Sequence, residues 1–106
     1  MYAVVARFEV RPEAVEEFDA LAQWRITEAA RNEPGLVAYA VHRVDGEPLA
    51  RVFYEIYRDR EAFREHRATP QTAEFLARHA QYVQGSPRME LLEPLHTAGR
   101  LTDTPV

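Results

Sequence analysis

The sequence contains no cysteine and no lysine, and these two absences remove several kinds of chemistry. Without cysteine there is no disulfide, no thiolate metal site and no cysteine nucleophile, and a cytoplasmic location is the default expectation. All thirteen basic residues are arginine, so Schiff-base and lysine general-base mechanisms are excluded as well. Any cofactor would have to be held without cysteine.

Signals for phosphate, nucleic acid and membrane are also missing. The four glycines form no glycine-rich loop, and no serine stands in a nucleophile-elbow motif, so neither a nucleotide-dependent enzyme nor a hydrolase is predicted. The net charge is -4, with acidic residues interspersed among the arginines, which disfavours nucleic acid as a partner. The longest N-terminal apolar run ends at Arg7 with no basic region before it, so no secretory signal or membrane span is predicted.

What the sequence does contain is typical of one small globular domain. It has 106 residues, of which 46% are hydrophobic and 28% are charged, a composition that argues against disorder. A chain of this length holds a single core. We expect residues 1–95 to form that domain and residues 96–106 to form a polar C-terminal tail.

Hydrophobic periodicity predicts the order strand, helix, strand, strand, helix, strand. Alternating apolar residues indicate strands at 2–10, 36–44, 50–58 and 89–95. The predicted helical segments run from Pro12 to the turn at 32–35, from the cap residue Asp59 to Arg67, and from Thr69 to a closing turn at 85–87. The buried face of the first helix is predicted to comprise Val15, Phe18, Ala22, Ile26 and Ala29.

This order predicts an α+β fold of the ferredoxin-like type, βαββαβ with a four-stranded antiparallel sheet. The turn at 45–48 predicts a hairpin of the two middle strands. Both sides of those strands are apolar, and one helical layer covers only one face of a sheet. The uncovered face is therefore expected to pack on a second copy, in a two-fold homodimer.

The segment 51–70 brings a carboxylate and an imidazole toward one rim of the sheet. Histidine titrates near neutral pH and is tuned by burial and by neighbouring carboxylates. His66 is therefore a candidate general base, and Glu55 would orient it or stabilise its charged form. The alternative is structural: His66 can pair with Glu55 for stability alone, or Glu55 can form a cross-strand ion pair with Arg7 or Arg43.

These features together resemble the antibiotic biosynthesis monooxygenase family over residues 2–95. The resemblance rests on the helix start at Pro12, the turn at 32–35, the strand with Tyr54, Glu55 and Tyr57, the spacing of Phe63 and His66, and the Thr69-Pro70 pair. It implies a dimeric α+β barrel with a substrate cavity between sheet and helices. In that family a histidine commonly stands at position 66 and a glutamate at 55. A second histidine often follows the Thr-Pro pair, where this chain has Gln71, which cannot take a proton.

Characterised members of that family include cofactor-free oxygenases of quinols and anthrone-like polyketides, haem-degrading enzymes and an isomerase-like branch. The resemblance therefore implies a cofactor-independent monooxygenase acting on a small electron-rich aromatic, because such a compound can itself reduce dioxygen once deprotonated. The alternatives are an isomerase, a small-molecule binding protein or a purely structural dimer. The haem-degrading branch is a poorer match, because only His79 is available as a ligand.

A pocket for a flat aromatic ligand needs apolar walls and few polar groups. The candidate substrate-binding residues are Phe53, Tyr57, Phe63 and Gln71. No cofactor is expected beside the aromatic substrate and dioxygen. No metal is expected either, because the histidines at positions 42, 66, 79 and 96 have no convincing zinc spacing.

Overall fold

The computed structural model describes residues 1–100, and its order of elements confirms the ferredoxin-like α+β prediction. The strands are β1 (Tyr2–Val10), β2 (Leu36–Val44), β3 (Glu47–Tyr57) and β4 (Val83–Leu92). The helices are α1 (Val15–Asn32), α2 (Arg60–Arg67) and α3 (Pro70–His79), with 3-10 turns at Pro12–Ala14 and Ala80–Tyr82. The strands form one antiparallel sheet in the order β2-β3-β1-β4. Of the predicted tail at 96–106, residues 101–106 lie outside the described residues.

The core lies between the helices and the inner face of the sheet. Along β1 the buried residues Val4, Ala6 and Phe8 alternate with less buried neighbours. Ala6 is opposite Phe53 of β3, so the inner residues of the two strands share one face. Phe18 of α1 packs against this face as part of the same buried cluster. Alternation along the strands thus places the aromatic residues under the helices.

The buried face of α1 differs from its prediction by two additions. Phe18, Ala22 and Ala29 are buried as predicted, Val15 and Ile26 are half-buried, and Leu21 and Arg25 are buried in addition. The helix buries a face that is rotated slightly toward Leu21 and Arg25, because the residues at i, i+3, i+4 and i+7 share one side. This rotation points an arginine into the interior.

The last strand begins six residues earlier than predicted, at Val83, and ends at Leu92. The expected closing turn at 85–87 lies inside it. Gly85 has a φ of +67°, a conformation that glycine adopts at low cost, and the pairing with β1 shifts between Arg7 and Glu9. The segment 85–87 therefore forms an irregularity of the bulge type, and the strand continues through it.

Side-chain caps fix where α2 and α3 begin. Asp59 accepts a hydrogen bond from the Ala62 N–H at 2.8 Å, and Thr69 accepts one from the Thr72 N–H at 3.2 Å, at the two starts that the sequence predicts. A cap sets which residues of a short helix face inward. In this chain His66 of α2 and Thr72 of α3 are buried.

Helix α2 packs closely on the turn that follows α1. A Cβ added at Gly35 would overlap the methyl group of Ala62. We expect Gly35→Ala to lower the free energy of unfolding by about 1–3 kcal/mol, the usual cost of overpacking, as measured by urea unfolding. The double variant Gly35→Ala, Ala62→Gly removes the overlap and should retain only the roughly 1 kcal/mol cost of a helical glycine. A double variant less stable than the single one would contradict this account.

The outer face of the sheet is apolar at the centre of β1 and β3, whereas Arg7 of β1 and Arg88 and Glu90 of β4 add charged side chains to it. Val5 and Val52 are half-buried there and Tyr54 is 37% exposed. Covering of this face by a second copy stays a prediction. Among residues 1–100, no helix combines the length and the apolar character that crossing a membrane requires.

Candidate active site

His66 is buried between the helices and the sheet, with 5% of its surface exposed. Its Nδ1 lies 2.6 Å from Glu33 Oε1, and its Nε2 lies 3.5 Å from Glu55 Oε1. The structure thus brings the two predicted catalytic residues together and adds a second carboxylate, from the turn after α1. An imidazole between two carboxylates is suited to holding and passing on a proton.

Arg25 completes the cluster, and sequence reasoning missed it. It is 2% exposed, and its Nη2 lies 2.7 Å from His66 Nε2 and 2.6 Å from Thr72 Oγ1. Thr72 in turn donates to the backbone carbonyl of His66 at 2.6 Å. One signal was present: Arg25 falls between Ala22 and Ala29 on the apolar side of α1, and an arginine on such a side is buried only with partners.

The contacts of His66 define its tautomer. An ionised Glu33 can only accept, so Nδ1 carries the hydrogen and donates it to that carboxylate. The Arg25 guanidinium can only donate, so Nε2 offers its lone pair. Neutral His66 therefore presents Nε2 as the basic atom. A proton added at Nε2 requires the Arg25 N–H to turn away, because both groups can then only donate.

Glu33 is the ionised anchor of the cluster. It accepts a hydrogen bond from Gln71 Nε2 at 3.2 Å, and its Oε2 lies 3.7 Å from Arg25 Nη1. Burial on its own would raise the pKa of Glu33, but the hydrogen bond and charge of His66, followed by Gln71 and Arg25, outweigh burial and lower the pKa below its ordinary 4.5. The sequence predicts for Glu33 only a place in the turn at 32–35 and no role in the site.

Glu55 shows the opposite balance. It accepts a hydrogen bond from the Tyr57 hydroxyl at 2.7 Å. Burial raises the pKa of Glu55 above its ordinary 4.5, although Tyr57, His66 and Arg25 all act in the other direction. One carboxylate of the pair is therefore held ionised, while the other is pushed toward its protonated form.

These two carboxylates predict opposite effects of pH on stability. The lowered pKa of Glu33 means that its stabilisation is present above its unfolded pKa near 4.5 and is lost as the pH falls. The raised pKa of Glu55 means that its stabilisation is present below 4.5 and is lost as the pH rises through the folded value. Urea unfolding near neutral pH should therefore show Glu33→Gln destabilised and Glu55→Gln stabilised, with both differences shrinking in acid. The same sign for both variants would rule this out.

A cavity of about 140 Å³ adjoins the cluster. Its polar end is formed by Arg25, Tyr39, Glu55, His66 and Thr72. Its apolar walls are formed by Val4, Ala6, Phe8, Phe53, Phe63 and Phe75, and Arg67, Leu76 and Met89 also line it. Leu76 and Met89 are each 56% exposed, so the opening lies on their side. The cavity joins one polar end to a wall of aromatic rings, as small-molecule sites do.

The predicted substrate-binding residues fall into two groups. Phe53 and Phe63 line the cavity. Tyr57 and Gln71 lie behind it, where each donates a hydrogen bond to one of the two carboxylates. Tyr57 and Gln71 would therefore act on a ligand only indirectly, through the carboxylates to which they donate. Phe53 and Phe63 would contact its ring directly.

The two tyrosines of the cluster keep their protons near neutral pH. Burial, followed by the charge of Glu55, raises the pKa of both Tyr39 and Tyr57. The Tyr57 hydroxyl donates to Glu55, and the Tyr39 ring lies 6.0 Å from the His66 ring. Neither phenol is suited to accept a proton near neutral pH, which leaves that task to the imidazole.

Two alternatives raised by the sequence are arranged differently. Arg7, a proposed cross-strand partner of the strand carboxylate, instead contacts Glu9 at 2.9 Å and Glu47 at 2.6 Å. His79 stacks on Phe75 at 5.2 Å, and its Nδ1 lies 3.0 Å from a backbone carbonyl of its own helix. His79 does not line the cavity. It therefore has the contacts of a packing residue.

A wider groove of about 530 Å³ lies between α1 and β2. It is open to solvent, and its charged residues are Asp19, Arg43 and Arg51. The buried Arg51 is satisfied by Asp19 at 2.8 Å. Unlike the smaller cavity, the groove is lined by no buried polar atom that lacks a hydrogen-bond partner among residues 1–100. In the same described part of the chain, no group of three histidine, aspartate or glutamate side chains has an arrangement that would hold a metal.

Comparison with known proteins identifies similar sequences. The family model described as "Antibiotic biosynthesis monooxygenase" matches residues 1–78. The Synechocystis protein "Uncharacterized protein sll1783" is 37% identical over 73 residues, which are 69% of this chain and 49% of that protein, so the chain spans about half its length. The Mycobacterium tuberculosis protein "Putative monooxygenase Rv0793" is 35% identical over 97 residues, which are 91% of this chain and 93% of that protein.

Solved structures share the same fold. The structure of Rv0793 superposes with a TM-score of 0.85 at 32% identity and covers 92% of this chain and 98% of that chain. The crystal structure of SO0527 from Shewanella oneidensis superposes with a TM-score of 0.78 at 25% identity and covers 86% and 87% of the two chains. Both likenesses extend over nearly all of the described domain.

Proposed function

We infer that this chain, which belongs to the antibiotic biosynthesis monooxygenase family, is a cofactor-independent monooxygenase that oxidises a small electron-rich aromatic with dioxygen. The observation that carries the proposal is the position of His66, clamped by two carboxylates at the polar end of an aromatic-lined cavity. The remaining residues of the site then have definite tasks.

The substrate supplies the electrons for this reaction. A hydroquinone that loses a proton becomes electron-rich enough to reduce dioxygen directly, after which one oxygen atom bonds to a ring carbon and the O–O bond breaks. Atoms balance when hydroquinone and dioxygen give hydroxyquinone and water. The protein must then provide a base, a dry pocket and a fixed orientation.

His66 is the base in this proposal. Its Nε2 takes the hydroxyl proton of the substrate, and its Nδ1–H stays bonded to Glu33, which keeps the ring oriented and stabilises the imidazolium. The proton held on Nε2 is then given to the reduced oxygen when the O–O bond breaks and water is formed, and Glu55 lies 3.5 Å from that nitrogen. Gln71 and Tyr57 hold the two carboxylates in place.

The aromatic wall supplies the dry pocket. Phe53, Phe63 and Phe75 line the cavity, and all three are at most 6% exposed. Such a wall binds a flat ring by its face or edge and excludes water from the charged cluster. Dioxygen, which is small and apolar, meets no polar barrier along these side chains.

A two-fold homodimer is part of the same proposal. The outer face of the sheet carries Val5, Val52 and the part-exposed Tyr54, and a second copy that packs there would bury them. Light scattering of the purified protein should give twice the mass of one chain. The mass of a single chain at micromolar concentration would contradict the dimer.

Oxygen uptake by the metal-stripped protein tests the function. The panel comprises hydroquinones, dihydroxynaphthalenes and anthrones, without added metal, flavin or haem, and heat-denatured protein corrects for autoxidation. We expect uptake above autoxidation with at least one member of the panel. Uptake that requires an added cofactor, or none with any compound, would contradict the proposal. Binding without uptake would favour the isomerase or small-molecule binding protein.

A further inference from the structure

One nitrogen of the buried Arg25 side chain has no hydrogen-bond partner among residues 1–100. This Nη1 lies 3.7 Å from Glu33 Oε2, too far for a hydrogen bond. The other terminal nitrogen, Nη2, contacts His66 and Thr72. A buried donor without an acceptor is costly. Because Arg25 also lines the cavity, its guanidinium has donor capacity left for a ligand.

The enclosed part of the cavity has room for one ring of that ligand. Its volume of about 140 Å³ is close to the roughly 150 Å³ of an engineered cavity that binds benzene. Four phenylalanine side chains line it, and they suit the face and edge of a flat ring. The further rings of an anthrone would have to project through the opening beside Leu76 and Met89.

We propose that the cavity binds a single-ring phenol as its phenolate, with Arg25 donating hydrogen bonds to the ionised oxygen. The inference rests on the proposed function for the oxidation of the bound ring. It adds Arg25 as the residue that selects the substrate. On binding, the phenol O–H bond breaks, the proton goes to His66 Nε2 and the electron pair stays on oxygen. The Arg25 N–H that points to Nε2 then turns to the ligand oxygen.

The charges of the site balance with a phenolate present. Arg25 and protonated His66 supply two positive charges, and Glu33 and the phenolate supply two negative charges. Burial raises the pKa of Glu55 and so favours its neutral form, in which it adds no charge to this balance. A phenol enters uncharged and only redistributes a proton, so the site gains no net charge. A ring without an ionisable group leaves the Arg25 donor unsatisfied.

The other ionisable groups near the ligand cannot replace Arg25. Arg67 lines the cavity but is exposed, with its guanidinium 5.8 Å from the centre of the Phe63 ring. Tyr39 and Tyr57 keep their protons, because burial raises the pKa of both. Arg25 is thus the permanent buried cation of the polar end.

Binding of 4-nitrophenol tests the proposal. Its absorption reports ionisation, and its ring is too electron-poor to be oxidised readily, so binding can be followed separately from oxidation. Under anaerobic conditions we expect the bound ligand to be phenolate at a pH where the free ligand is mostly neutral. Nitrobenzene, the same ring without the hydroxyl, should bind roughly 10- to 100-fold more weakly, the range for losing a charged hydrogen bond.

Two arginine variants provide the matched comparison. Arg25→Gln should lose the preference for 4-nitrophenol over nitrobenzene. Arg51→Gln should keep it, because Arg51 is also buried but pairs with Asp19 away from the cavity. If Arg25→Gln fails to fold, the affinities of the wild-type protein for 4-nitrophenol and nitrobenzene still test the proposal.

The proposal is overturned if bound 4-nitrophenol stays neutral, if nitrobenzene binds equally well, or if neither binds. It is also overturned if folded Arg25→Gln keeps the preference. Phenolate binding without oxygen uptake on any phenol would remove the proposed function and leave this inference intact. Oxygen uptake on a phenol, combined with binding of 4-nitrophenol in its neutral form, would support the proposed function and overturn this inference.

Discussion

Replacing His66 with alanine should lower kcat for aromatic oxidation by about 10²- to 10⁴-fold, the range for loss of a positioned general base. The reason is the arrangement of the imidazole, whose Nδ1 is fixed by Glu33 while Nε2 is left basic. The measurement is the initial rate of oxygen uptake at saturating substrate. Added imidazole should restore part of the rate, since the substitution leaves space for it.

A matched control for this variant is His79→Ala. His79 is the other buried histidine, at 9% exposure, and it stacks on Phe75 without lining the cavity. Its loss should lower stability modestly and leave kcat near the wild-type value. Equal losses of rate in the two variants would show that the loss of either buried histidine lowers the rate, and would contradict a specific role of His66 as the base. An unchanged rate in His66→Ala would remove His66 from the mechanism.

Replacing Arg25 with methionine should lower the free energy of unfolding by about 3–5 kcal/mol, the cost of leaving buried partner charges unpaired. The variant removes the cation that contacts His66 and Thr72 and lies near Glu33. For a domain of this size the loss corresponds to a fall in Tm of more than about 10 °C. Differential scanning calorimetry measures it.

The control for Arg25→Met is Arg51→Met. Arg51 is 5% exposed, but its partner Asp19 has 39% of its side chain exposed, so water can solvate the carboxylate that remains. A smaller loss is expected there. The deficit of Arg25→Met should also shrink as the pH falls, because without the charge of Arg25 the folded pKa of Glu33 is higher than in the wild type and its carboxylate binds a proton more readily. Equal, pH-independent losses in both variants would contradict the charge cluster.

The fold could be predicted from the sequence because alternation in the strands and caps at the helix starts are local signals. Asp59 and Thr69 cap the helices that the sequence assigned to them. The start of β4 could not be predicted, because Gly85 carries a positive φ inside a strand. A glycine, serine and proline in succession are typical of a turn, and only pairing with β1 turns them into an irregular part of the strand.

The candidate site could be predicted only in part. His66 and Glu55 lie in one continuous segment, in which the sequence predicts a strand followed by a helix. That order of elements was enough to predict that the two side chains lie close together. Arg25 lies in the middle of α1 and Glu33 directly after its last residue, 41 and 33 residues before His66 in the chain. Their contacts with the imidazole depend on how α1 packs across the sheet. Periodicity gives the buried face of a helix but not the partner of a charge on it.

We propose that this site adds one oxygen atom of dioxygen to a single-ring phenol without a cofactor. The decisive experiment is incubation of the metal-stripped protein with a monocyclic hydroquinone under ¹⁸O₂, followed by mass spectrometry of the product. One labelled oxygen atom is expected on the ring and the other in water. A product whose added oxygen is unlabelled, or labelled product that forms only when flavin, haem or metal is supplied, would contradict it.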